Sequence, residues 1–291
     1  MVRGIVLIAL AAMSWGTTGS VTTVLVRSAD ASPLLIGVAR LWLAALLLAG
    51  AARVLAPPLA IDHADRWRSV LAGAAMAVFQ AAYFSAVTLT GITVAALVAI
   101  CSAPLVIAAL AATLLGERIT TRVVIALVSG VTGTTLLITG PGARDIAPDG
   151  FLAGVGLALL AGAAYATYAV ITKGALAHSR PLPLAAANFT AAAVLLTPAL
   201  LWTDEPLRQI TLGWPWLLYL GVIATAGAYA LYTIGLRTIP ASVAGIVTLL
   251  EPLTATLLGV LVFGERLGTA GTVGALLMFA AIALLLVPAR R

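Results

Sequence analysis

The chain has 291 residues, 62% hydrophobic and 9% charged, with 16 Lys and Arg against 10 Asp and Glu for a net charge of +6. A soluble domain carries about a quarter charged residues, so this chain cannot cover a water-facing surface and needs lipid around it. Its one cysteine, Cys101, excludes an internal disulfide framework and a cysteine-based metal site, and its bases are too dispersed for a nucleic-acid stripe.

A helix that crosses the hydrocarbon needs roughly 20 mainly apolar residues. Ten stretches meet that test. In chain order they are 4–26, 34–55, 69–89, 92–115 and 123–139, then 151–172, 182–202, 214–236, 241–263 and 269–287. The first is too long and too polar in its middle for a cleaved signal and reads as a retained helix. Pro57-Pro58 ends the second. Ser179-Arg180-Pro181 opens the seventh, and Thr203-Asp204-Glu205-Pro206 closes it. The run from Thr139 to Gly150 is rich in Gly, Pro and charge. It divides the chain into a first unit, 1–140, a linker, 141–150, and a second unit, 151–291.

The two units share a pattern. Ser102-Ala103-Pro104 leads to Gly116-Glu117-Arg118, and Leu250-Glu251-Pro252 leads to Gly264-Glu265-Arg266, 148 positions later. Five helices is an odd number, so the second copy must enter the membrane upside down. That arrangement lets one fold open alternately to either side. Positive flanks set the orientation. With the N-terminus in the cytoplasm, Arg3, Arg53, Arg66, Arg68, Arg118, Arg122, Lys173, Arg180, Arg237, Arg290 and Arg291 lie inside. Only Arg27, Arg144, Arg208 and Arg266 lie outside.

Charge at membrane depth costs a few kcal/mol and marks function or a buried partner. Glu251 sits near the midplane, about ten residues or roughly 15 Å into its helix. Three roles are open to it: a structural anchor paired with Arg40 or hydrogen-bonded to backbone opened by Pro252, a contact for a substrate amine, or the carrier of a coupling proton. Arg40 is either a packing clamp or a site for a substrate carboxylate. Pro104 and Pro252 occupy matching positions and deprive the carbonyls of Ile100 and Thr248 of their usual N–H partner, so kinks or hinges are expected there. Ser14, Thr17, Thr18, Gln80, Ser85, Ser102, Asn188, Thr225 and Thr248 add polarity at depth. Trp15, Tyr83, Tyr165, Tyr168, Tyr229 and Tyr232 add aromatic surface with polar tips. Trp67, Trp202, Trp214 and Trp216 read as interfacial anchors. Asp62-His63-Ala64-Asp65 makes only a weak case for a metal, and no nucleotide-binding motif is present.

Ala12-Met13-Ser14-Trp15-Gly16, Ala39-Arg40-Leu41, Ala103-Pro104-Leu105 and Glu251-Pro252-Leu253, with the two Gly-Glu-Arg runs, resemble the EamA branch of the drug/metabolite transporter superfamily. The resemblance covers essentially the whole chain. It implies an all-α membrane protein of ten transmembrane helices in two inverted five-helix repeats, with both termini cytoplasmic. It also implies a carrier for amino acids, aromatic or otherwise neutral, or for similar small organic metabolites, mostly outward across the bacterial inner membrane. The substrate cavity would lie centrally. Trp15, Arg40, Gln80, Tyr83, Ser102, Tyr165, Tyr168, Asn188, Tyr229, Tyr232 and Glu251 are its candidate residues. No cofactor or metal is expected, proton coupling is undecided, and a monomer is favoured. The alternatives are an exporter of other metabolites or drugs and, from other classes, a membrane-embedded enzyme or a channel.

Overall fold

A chain this apolar can cross lipid only as helices that satisfy their own N–H and C=O groups. A computed structural model describes residues 1–56, 61–138, 150–263 and 268–286. In chain order its helices are α1 (Val2–Ala29), α2 (Pro33–Leu55), α3 (Asp65–Gly91), α4 (Val94–Leu114), α5 (Thr121–Ile138), α6 (Phe151–Ala175), α7 (Pro181–Trp202), α8 (Pro206–Leu236), α9 (Ala241–Leu261) and α10 (Thr269–Leu286). Among the described residues, nine of these are long and apolar enough to cross a membrane, and α5 is a shorter apolar helix. The fold is thus an all-α, ten-helix membrane protein.

Several helices are interrupted where the sequence supplies a reason. Helix α1 breaks at Thr17, whose hydroxyl lies 2.7 Å from the Ser14 carbonyl and 2.8 Å from Tyr219 Oη. Helices α3 and α4 follow each other without a loop. Gly91 turns the chain between them at φ 78°, ψ 159°, a conformation that only glycine adopts freely. The last turn of α7 is 3₁₀, α8 carries a π turn at Val222–Gly227, and α9 is interrupted at Thr248 and Leu249. The predicted eighth segment starts too late. Arg208, Gln209 and Pro215 spoil the apolar run after Pro206, yet α8 begins there. A proline in a first turn sacrifices no helical hydrogen bond. Residues 141–149 of the predicted 141–150 linker, Pro57-Pro58, Gly264-Glu265-Arg266 and Arg290-Arg291 lie outside the described residues.

Packing follows a two-fold pattern. Helix α2 packs on α7 and α5 on α10, while α1 packs on α8 and α9 just as α6 packs on α3 and α4. Exchanging the halves maps each contact onto another. The lipid environment gives no hydrophobic drive between helices, so small residues and close approach do the work. A Cβ on Gly73 of α3 would sit 2.7 Å from the Asn188 carbonyl of α7. Its counterpart 148 positions on, Gly221 of α8, would meet Leu43 of α2 at 2.5 Å. The arrangement leaves a gap between α1, α2, α3, α4, α6, α8 and α9.

Candidate functional site

That gap is a cavity of about 570 Å3, within the range that holds small organic ligands. Its mouth is ringed by Val26, Arg27 and Pro33, at the face that carries the α1–α2 turn. It narrows inward to Trp15, Tyr165 and Tyr229. Trp15 lies 4.8 Å from Tyr229 and 5.5 Å from Tyr232 between ring centroids. Tyr168, Tyr232 and Phe189 are fully or almost fully buried behind that floor, with Phe189 4.6 Å from Tyr229. The aromatic cluster therefore closes the cavity toward the face that carries the N-terminus.

Arg40 and Glu251 both line this cavity. They do not form an ion pair with each other. Arg40 donates through Nε to Thr225 Oγ1 of α8 at 3.0 Å. Glu251 owes its place to Pro252. Proline cannot supply the N–H that the Thr248 carbonyl would take in a regular helix, and the helix tightens instead. Glu251 N–H reaches the Thr248 carbonyl at 3.0 Å and Leu249 N–H reaches Ile246 at 3.1 Å. The Thr248 carbonyl thus lacks its usual partner four residues on, and the Glu251 amide takes its place. Pro104 behaves differently. Helix α4 runs on through it without interruption, so matched prolines do not give matched breaks.

Of the residues singled out in the sequence, Trp15, Arg40, Gln80, Tyr83, Tyr165, Tyr229 and Glu251 line the cavity together. The other four stand apart from it. Tyr168 and Tyr232 lie behind the floor. Ser102 faces α6, bonds to the Ala99 carbonyl at 3.2 Å and packs against Gly162. Asn188 is buried between helices, where its Nδ2 donates to Thr172 Oγ1 at 3.1 Å. Phe79, Thr248 and Thr256 also line the cavity. Phe79 stacks on Tyr83 at 5.9 Å and was missed because a lone phenylalanine in an apolar helix carries no signal. Among the described residues no cluster of His, Cys, Asp and Glu could hold a metal. Asp65 takes hydrogen bonds from Ser179 Oγ at 2.7 Å and Arg68 at 2.8 Å, tying the start of α3 to the α6–α7 turn.

The model of the EamA-like transporter family matches residues 2–139 and 152–287. The chain belongs to the EamA-like transporter family. It is 38% identical over 273 residues to a Bacillus subtilis (strain 168) protein named "Uncharacterized transporter YwfM", covering 92% of this chain and 88% of that one. An Archaeoglobus fulgidus protein named "Uncharacterized transporter" is 29% identical over 202 residues, 69% of this chain and 70% of its own. A solved crystal structure superposes with a TM-score of 0.82 at 21% identity, covering 97% of this chain and 96% of the other, a likeness of fold alone. The protein is a multi-pass membrane transporter that handles small solutes within the bilayer.

In this EamA-like transporter two charged side chains tie helix ends together at the face that carries the N-terminus. Gly116, at φ 65°, ends α4 in a left-handed turn and swings the following residue back, with Glu117 N–H on the Ala111 carbonyl at 3.1 Å. The Glu117 carboxylate then accepts from Ala241 N–H at 2.6 Å, Ser242 N–H at 3.1 Å and Ser242 Oγ at 2.7 Å. Those amides open α9 and have no partner within their own helix. Across the same turn Lys173, the only lysine in the chain, donates to the carbonyls of Leu236, Arg237 and Ile239 at 2.9, 3.4 and 2.8 Å. An anion thus caps the start of α9 and a cation the end of α8, each matching the helix dipole. The sequence offers the repeated Gly-Glu-Arg run as a signal, but not the helix it would grip.

Proposed function

We propose that this transporter moves neutral amino acids, aromatic ones foremost, or similar small zwitterions outward across the bacterial inner membrane by alternating access. The observation that carries the reading is the cavity itself: a buried cation, Arg40, without an ion-pair partner, and one carboxylate, Glu251, share an aromatic-walled chamber, with Arg27 at its mouth. A zwitterion matches such a pair, its carboxylate to the guanidinium fork and its ammonium to Glu251. Trp15, Phe79, Tyr83, Tyr165 and Tyr229 offer ring faces to an apolar or aromatic side chain and to the ammonium. A bare ion would find little to replace its hydration shell here.

With the N-terminus in the cytoplasm, the mouth at the α1–α2 turn faces outside and the Glu117 and Lys173 contacts seal the cytoplasmic side. Substrate release outward followed by breakage of that seal completes the cycle. Glu251 is the group that would carry a coupling proton, and the protein works as a monomer.

Ligand-induced thermal stabilisation of the purified protein tests the substrate class. L-Phenylalanine should raise the melting temperature in a saturable way, whereas its decarboxylated and deaminated analogues, each lacking one charge, should act only at tenfold or greater concentration. Equal stabilisation by all three would remove the zwitterion reading. Stabilisation only by organic cations would point to drug or metabolite export instead.

A further inference from the structure

The π turn of α8 is present in one half of the molecule only. It spans Val222–Gly227, while the matching stretch of α3, 148 positions earlier at 74–79, is plain α-helix. Such turns carry one extra residue per turn and recur at functional sites. This one contains Thr225, fully buried and directed at Arg40. The matched position in the first half is Ala77, and the position matched to Arg40 is Asn188, which bonds elsewhere. The π turn, the threonine and the arginine therefore occur together, without a counterpart that the fold itself would require.

The hydrogen-bond polarity is fixed. Thr225 Oγ1 lies 2.7 Å from the Leu220 carbonyl. A carbonyl can only accept, so the single hydroxyl proton is committed to it. Toward Arg40 the same oxygen can only accept, and it takes the Nε–H at 3.0 Å. One edge of the guanidinium is thereby occupied and its plane is set. The two terminal amines are left as a parallel fork, the geometry that binds a carboxylate through both oxygens.

We infer that Thr225 is a positioning residue for substrate recognition: from the π turn it fixes the Arg40 guanidinium so that its terminal Nη1/Nη2 edge presents to a carboxylate in the cavity. Thr225 does not line the cavity and touches no substrate. It acts on selectivity through Arg40, and the inference rests on the zwitterion reading given above. An arginine without that anchor swings among rotamers, and a bidentate site depends on the fork being held.

The test is counterflow in proteoliposomes with two probes, L-phenylalanine and 2-phenylethylamine, which differ in the carboxylate. The readout is the ratio of their KM values. Thr225→Val keeps the branched shape and removes the oxygen, and it should shift the ratio against L-phenylalanine by tenfold or more. Thr225→Ser restores the oxygen and should hold the ratio within twofold of wild type. Thr225→Cys, a weaker acceptor of nearly the same size, should fall between them and serves where the valine variant does not fold. A wild-type ratio in the valine and cysteine variants, whatever happens to the absolute rates, overturns the inference. Arg40→Gln separates the two layers. If it abolishes the preference while Thr225→Val does not, only the positioning role falls. If it leaves the preference intact, or if the wild type moves neither probe, the zwitterion reading falls and this inference with it.

Discussion

Removing the Glu117 carboxylate should favour the state open at the N-terminal face. In Glu117→Ala the three contacts to Ala241 and Ser242 disappear and the first amides of α9 lose their cap. A hydrogen bond to a charged group contributes about 1.5–3 kcal/mol, and loss of a helix N-cap costs about 0.5–2 kcal/mol. Glu117 is only half-buried, so water replaces much of what is lost. A net bias of about 2 kcal/mol is the reasonable sum, a shift of about 30-fold in the ratio of the two states. Double electron–electron resonance between spin labels at Arg118→Cys and Arg237→Cys, in a Cys101→Ser background, reads that ratio. Both positions are exposed and lie on opposite sides of the contact. A longer distance should gain weight in Glu117→Ala by about that factor, the estimate resting on the same two contributions. An unchanged distance distribution would refute the claim that this carboxylate holds the face shut.

Three other outcomes follow from named contacts. Glu251→Gln removes the only carboxylate among the described residues that line the cavity, and it should weaken binding of ammonium-bearing solutes by about 10- to 100-fold; a titration with L-phenylalanine and its deaminated analogue checks that the loss needs the ammonium. Gly133→Ala places a Cβ 2.7 Å from the Gly274 carbonyl and 2.8 Å from Met278 Cγ at the α5–α10 contact, so thermal unfolding should show a loss of about 1–3 kcal/mol. Gly156→Ala is its control: nothing lies within 4 Å of the added atom, and the helix should gain stability by up to about 1 kcal/mol.

The helices were legible because lipid solvation leaves one simple rule, a long enough apolar run, and the breaks were legible from Gly, Pro and charge. Helix α8 shows where that rule fails, since Arg208 and Gln209 sit in a first turn that the apolar count rejects. The cavity was legible in part. Trp15, Arg40, Tyr83, Tyr165, Tyr229 and Glu251 announce themselves as costly residues at depth. Tyr168 and Tyr232 have the same chemistry and nearly the same register, yet they fall behind the floor, because one helical turn decides between lining a wall and backing it. Asn188 holds the position matched to Arg40 and still packs between helices, since the first half has Ala77 in plain α-helix where the second has Thr225 in a π turn. The grip of Glu117 on α9 joins residues more than a hundred positions apart. Its motif was visible, but no local pattern names the distant amides it caps. The π turn itself is a choice of hydrogen-bond register, and residue propensities do not encode it.

The zwitterion reading requires the cavity between the two halves to carry substrate through the membrane. Counterflow of labelled L-phenylalanine into liposomes preloaded with the unlabelled compound measures this. Saturable uptake is expected with the wild type, and strong loss in both Arg40→Gln and Glu251→Gln. Uptake no greater than in protein-free liposomes, from protein shown to be folded and inserted, would contradict it.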